Sequence, residues 1–73
     1  MKLITFTQGH NGWRPGNLKG IEINNIKPIR RNQINESGFV YNIYKGVVSD
    51  EVATFLKLQG GFRIEEIPAG YDK

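Results

Sequence analysis

A single helix with matched start and stop signals lies between extended runs of the sequence, and it limits the possible fold more than any other feature. Ser49 is a favoured N-cap, and Asp50 and Glu51 place negative charge at the positive end of the helix dipole. Gly60 can adopt the left-handed conformation that ends a helix. These signals predict one helix over residues 50–59.

The predicted helix has one mainly apolar side. The residues at the spacing of a single helix face are Val52, Phe55, Leu56 and Gln59. Ala53 flanks this stripe, whereas Thr54 and Lys57 lie on the outer side. We therefore expect the stripe to face the core of the domain.

Short runs of β-branched and aromatic residues precede and follow the helix. Alternation predicts strands over residues 3–7, 20–26, 38–48 and 62–67. Residues 27–31 include Pro28, which lacks an amide proton, so this stretch is an edge strand or an extended connector. Residues 32–38 are polar apart from one isoleucine, end in glycine and predict a turn. The clearest of these strands is the one predicted over residues 38–48. In it, Phe39, Tyr41 and Ile43 share the face that we assign to the core.

The order of these elements predicts one α+β domain over residues 1–73. We expect a small, mostly antiparallel sheet of four to five short strands, with the helix packed on it before the last strand. The helix would lie across one face of the sheet or cap one end. The tail, residues 69–73, is expected to be loose.

The sequence lacks the side chains that most catalytic and metal sites need. It contains no cysteine and a single histidine, His10, which has no carboxylate within ten residues on either side. Glu65 and Glu66 are adjacent in a predicted strand and point to opposite faces, so they do not converge on one substrate. We expect no enzymatic activity, no cofactor and no metal site.

The chain also lacks the long apolar run of a membrane helix, which needs about 20 residues. The apolar start of the chain, residues 1–6, is too short for a signal peptide, and the residues that follow it are too polar. We therefore expect a chain that is neither membrane-bound nor secreted by a signal peptide.

The charge of the chain is unevenly distributed. Residues 1–45 hold seven basic and two acidic side chains, and residues 46–73 hold three basic and five acidic ones, giving the net charge of +3. Basic and aromatic residues outside the predicted core are candidates for partner binding: Trp13, Arg14, Lys19, Lys27, Arg30, Arg31 and Tyr44. Tryptophan, tyrosine and arginine dominate the binding energy of protein interfaces. The same residue types also suit a nucleic-acid surface, and simpler roles are a solvated strand edge and, for Trp13, a cover over the domain's own core.

A larger partner would also compensate for the small size of the domain. A chain of 73 residues buries only about 60% of the surface that its unfolded form exposes, so its stability alone is expected to be marginal. Docking or homo-oligomerisation stabilises such chains.

Residues 44–67 resemble an element of small structural proteins of tailed phages. In that element a turn with Gly46 leads to an acidic helix start, a core stripe of the type found in residues 53–56, and a Gly60-Gly61-aromatic turn into a last strand. The same segment also resembles small phage-encoded proteins that inhibit host enzymes by docking on them. Both resemblances imply a compact binding protein without catalysis, in a virion or in the host cytoplasm.

We therefore expect a non-enzymatic protein-binding module. The leading hypothesis is a minor virion component, a decoration, cement or neck protein that docks on a larger viral protein. The alternative is a basic nucleic-acid-binding protein or a host-protein inhibitor that uses residues 14–31.

Overall fold

The fold is built around two long antiparallel strands at the centre of a sheet. The computed structural model describes residues 1–71. In chain order the elements are β1 (Lys2–Gly9), a 3₁₀ turn (Gly16–Leu18), β2 (Asn24–Ile34), β3 (Val40–Val48), α1 (Asp50–Gln59) and β4 (Arg63–Glu65). The strands lie in the order β2-β3-β1-β4, and each neighbouring pair is antiparallel. The predicted α+β class, with one helix before the last strand, is confirmed.

The capping residues set both ends of α1. The Ser49 hydroxyl accepts the backbone N–H of Val52 at 3.2 Å, and the N–H of Gly60 donates to the carbonyl of Leu56 at 3.0 Å. Gly60 has a φ of 78°, which glycine adopts without the strain that a Cβ would add. The predicted helix, residues 50–59, is confirmed.

The buried side of α1 is narrower than its sequence pattern indicates. Ala53 and Leu56 are buried and Val52 is half-buried, as predicted. Phe55 and Gln59 are exposed, so the inward orientation predicted for them is wrong. Side chains of the segment between β1 and β2 pack into the same core, so α1 contributes only one narrow line of side chains.

The main core lies between α1 and one face of the sheet. Its buried members are Ile4, Phe6, Leu18, Val48, Ala53 and Leu56. Half-buried apolar side chains that pack against it are Ile21, Ile23, Tyr44, Val52, Phe62 and Ile64. With so few fully buried side chains, the loss of any one of them removes a large part of the apolar burial that stabilises the fold.

β3 turns a different face to the core from the one predicted. Tyr44 packs on the core and stacks on Phe6, with 5.7 Å between ring centroids. Phe6 lies directly opposite Tyr44 in the sheet, and this register fixes the parity of the whole strand. Tyr41 and Ile43 therefore lie on the other face and Phe39 is exposed, so their assignment to the core is wrong.

β2 is one long edge strand with three register shifts against β3. The sequence predicts its residues as separate pieces and as part of a turn, yet they form one strand that bulges where extra residues are accommodated. Asn25 and Asn32 have positive φ values of 51° and 57° within this strand. The buried Asn42 of β3 accepts the N–H of Asn32 at 2.9 Å through Oδ1 and thereby fixes one irregular segment. The turn itself is confined to the residues between β2 and β3.

The sheet face opposite α1 is also covered near its centre. Leu3 and Val47 are buried on that face, outside the main core. The chain after β4 reaches β2, where the Tyr71 hydroxyl donates to the carbonyl of Asn25 at 2.9 Å and the Lys27 ammonium lies 4.5 Å from the Tyr71 ring centroid. The segment after β4 thus contacts the opposite edge of the sheet. Looseness of residues 69–73 stays a prediction, and residues 72 and 73 lie outside the described range.

Candidate docking surface

A pair of aromatic rings lies at the end of the sheet where β1 ends and β3 begins. Trp13 and Phe39 meet edge to face, with 5.9 Å between ring centroids, and half of the Trp13 surface is exposed (50%). The N–H of Gly9 donates to the carbonyl of Trp13 at 2.8 Å, and Oδ1 of Asn11 accepts the N–H of Trp13 at 3.1 Å. These bonds fix the backbone of Trp13 beside the end of β1, and the indole contacts the Phe39 ring while it stays open to solvent.

Two further features complete this end of the sheet. A Cβ built on Gly9 would lie 2.6 Å from the Phe39 ring, so only glycine lets that ring pack on the strand. Ile34, the last residue of β2, pairs with Val40 beside Phe39 and is 69% exposed. We call Trp13, Ile34 and Phe39 the aromatic end. Exposed apolar side chains grouped in this way are typical of interaction surfaces.

Two of the predicted binding residues instead pack within the molecule. The Arg14 guanidinium lies 5.5 Å from the Phe6 ring centroid, and its Nε donates to Oε1 of Gln8 at 2.8 Å. Tyr44 is half-buried, and its hydroxyl accepts a hydrogen bond from Nδ2 of Asn42 at 3.2 Å. Both side chains are therefore held by contacts within the domain.

The other basic residues differ in how free their charges are. Arg30 and Arg31 are exposed on β2, and within residues 1–71 neither forms an ion pair. Lys19 is exposed after the 3₁₀ turn. Lys27 is half-buried and donates to the carbonyl of Tyr71. Two unpaired guanidinium groups thus lie on the edge strand that leads to Ile34.

The structure brings only part of the predicted set together. Trp13, Arg14 and Lys19 line one groove in the segment after β1. Arg31 precedes Ile34 along β2, and Lys27 lies apart from them against Tyr71. Ile34 and Phe39 were not among the predicted binding residues, because the first fell in a predicted turn and the second in the predicted core. The glycine at position 9 was the one local signal that a ring could pack there. The partner-binding role of all seven candidates stays a prediction.

The acidic side chains near α1 and β4 are mostly paired. The ion pairs are Met1 amino group to Asp50 at 2.6 Å, Lys45 to Glu65 at 2.7 Å, and Lys2 to Glu66. Hydrogen bonds from the Met1 amino group and from Lys45 hold the pKa values of Asp50 and Glu65 below their ordinary range. The hydrogen bond to Glu66 raises the pKa of Lys2. Charge is therefore balanced locally here, in contrast to β2.

The described part of the chain has neither a metal-binding cluster nor a helix able to cross a membrane. His10 is exposed in the turn after β1, and no group of three or more His, Asp or Glu side chains within residues 1–71 could hold a metal ion. No helix in this range has the length and apolarity to cross a membrane. Comparison of the chain with protein-family models, curated proteins and solved structures gave no match.

The bridge between Lys45 and Glu65 gives a pH prediction. Its carboxylate has a lower pKa folded than unfolded, so it stabilises the fold above the unfolded value, about 4.3, and this contribution is lost as pH falls through the folded value. We expect Glu65→Gln to lower the urea midpoint at pH 7 and to reduce its fall between about pH 5 and pH 3. The matched control is Glu36→Gln, in the exposed turn before β3. Equal pH slopes for Glu65→Gln and wild type would contradict the prediction.

Proposed function

We propose that this chain is a non-enzymatic protein-binding module that docks on a larger protein through the aromatic end and the adjoining part of β2. The observation that carries the proposal is the Trp13–Phe39 pair, which is anchored by backbone hydrogen bonds and open to solvent. An aromatic side chain on a fixed backbone has only two χ angles and loses little conformational entropy on binding. Tryptophan is among the residue types enriched at binding hot spots.

The charge pattern supports a specific type of partner surface. Arg30 and Arg31 have no ion pair within residues 1–71, so carboxylates of a partner would meet guanidinium groups that need not leave an internal bond. Ile34 adds an exposed apolar side chain to β2, three residues after Arg31. The proposed partner therefore has an apolar slot bordered by acidic side chains.

The biological setting is part of the proposal. The partner is a larger viral protein, and the module is a decoration, cement or neck component of a virion. The support for this setting is the resemblance of residues 44–67 to small proteins of tailed phages. Under the proposal, purified particles contain the chain in a fixed ratio to its partner, which mass spectrometry would measure.

Trp13→Ala is expected to weaken partner binding by about 30-fold or more, because truncating a central aromatic hot spot costs about 2 kcal/mol or more. Wild-type and variant chains would be immobilised and exposed to proteins from purified particles, and the affinity for the retained protein would then be titrated. Phe55→Ala is the matched control, since it removes a ring of similar exposure (48%) from the outer side of α1. Retention that is equal for Trp13→Ala and Phe55→Ala would refute the docking surface.

A parallel titration tests the competing class of partner. If the wild-type chain bound random-sequence duplex DNA with micromolar affinity, and that affinity fell steeply between about 50 and 200 mM salt, nucleic-acid binding would replace protein docking. Arg30→Glu with Arg31→Glu would then weaken DNA binding at all sequences alike.

A further inference from the structure

The two outer edges of the sheet differ in how they meet other strands. An edge strand presents unpaired N–H and C=O groups to any strand that can lie beside it. β2 contains Pro28 and three register shifts, which disturb the regular spacing of those groups. β4 pairs with β1 without a register shift and contains no proline. The edge at β4 is therefore the one suited to adding a strand.

The sequence of β4 is complementary to itself in charge. When two copies pair antiparallel about Ile64, Arg63 of each lies directly opposite Glu65 of the other. Opposite charges in directly facing positions stabilise a strand pair, and like charges destabilise it. Arg63 is exposed and has no ion pair among residues 1–71. Glu65 uses Oε1 for Lys45, and its Oε2 has no hydrogen bond within the described chain.

An open groove lies beside this edge. It runs between α1 and β4, encloses about 560 Å³, and has Ala53, Phe62 and Ile64 among its lining residues. Directly opposed residues of an antiparallel pair project to the same face. The Ile64 side chain of a second copy would therefore lie beside Ile64 and next to the groove, and both helices would lie on the same face of one continuous sheet.

We propose that two copies of this chain associate about a two-fold axis through β4, forming an eight-stranded antiparallel sheet. The interface is isologous, so it closes after two copies and does not propagate. It lies at the opposite edge of the sheet from β2, so it leaves the aromatic end open and can fail or hold independently of the docking function.

Sedimentation of the full chain from about 10 µM to 1 mM tests the proposal. The expected mass rises with concentration from that of one chain, 8.3 kDa, toward twice that value. Arg63→Glu places two glutamates opposite each other at both ends of the strand pair, so it should weaken association by about tenfold or more. The matched control, Arg31→Glu, makes the same charge change at the other edge and should leave association unchanged.

An equimolar mixture of two variants gives the sharper test. In a pair of Arg63→Glu with Glu65→Arg, glutamates of one chain face arginines of the other at both positions, so the mixture should associate as wild type does. Glu65→Arg also loses its contact with Lys45, but that loss remains in the mixture and does not explain recovery. Three outcomes would each overturn the proposal. The first is a wild-type mass of one chain up to about 1 mM. The others are loss of association in Arg31→Glu rather than Arg63→Glu, and no recovery in the mixture. Circular dichroism of each variant confirms that it is folded.

Discussion

Leu56→Ala is expected to leave most of the protein unfolded in mild urea. In water without urea, the folded state of this variant is expected to be only marginally stable. Leu56 is fully buried where α1 meets the sheet, in a core with few other buried members. Removing a buried leucine side chain costs about 2–5 kcal/mol, because apolar burial is lost and a cavity remains. A single core in a chain of this size supplies only about 3–5 kcal/mol of net stability. Urea titration followed by circular dichroism measures the loss.

The control for this prediction lies two residues further along the same helix. Leu58 is 81% exposed, and Leu58→Ala removes the same atoms from a side chain that lies outside the core. Its expected effect is within about 0.5 kcal/mol of wild type. Similar losses for the two variants would contradict the assignment of the loss to the burial of Leu56, because alanine is the better helix former at both positions.

The helix was predictable because its determinants are local. The Ser49 cap, the acidic first turn and Gly60 all act within one turn of the residues that they affect. Which side chains of the helix are buried was predictable only in part. The exposure of Phe55 depends on how much of the sheet is already covered by the segment between β1 and β2. Spacing along the sequence shows which residues share a side but not how wide the contact is.

The strands were harder to predict because register is a property of two strands. The parity of β3 follows from the pairing of Phe6 with Tyr44, which nothing within β3 encodes. The irregular course of β2 depends on a hydrogen bond between Asn32 and Asn42, ten residues apart in the chain. The turn predicted over residues 32–38 was wrong for residues 32–34, which belong to β2, because pairing with β3 outweighs their polar composition.

The same distinction applies to the candidate surface. Residue type made Trp13 a candidate for partner binding, and the structure leaves half of its surface exposed. Residue type did not show that Arg14 packs on Phe6 or that Lys27 contacts Tyr71. A basic residue that is bonded within the domain must break that contact to bind a partner. Arg30 and Arg31, which are exposed and form no ion pair within residues 1–71, are therefore better candidates than Arg14 and Lys27.

At Gly46, the addition of a single methyl group is expected to lower the stability of the fold strongly. Gly46 lies opposite Ile4 in the sheet, and a Cβ built on it would stand 2.3 Å from Cγ2 of Ile23. Ile23 would have to move away from the core that it packs against. Gly46→Ala is therefore expected to destabilise the fold by about 1–3 kcal/mol, although alanine in a strand otherwise costs less backbone entropy than glycine.

The control and the rescue for Gly46 use the same measurement, the urea midpoint. Gly16→Ala adds a Cβ that meets no atom within 4 Å, so it should leave the midpoint close to wild type. Ile23→Ala removes the side-chain carbon that the new Cβ would meet. In that background Gly46→Ala should cost at least about 1 kcal/mol less than in wild type, the coupling expected of residues in direct contact. Additive losses would show that the close approach of Ile23 to Gly46 is not the origin of the damage.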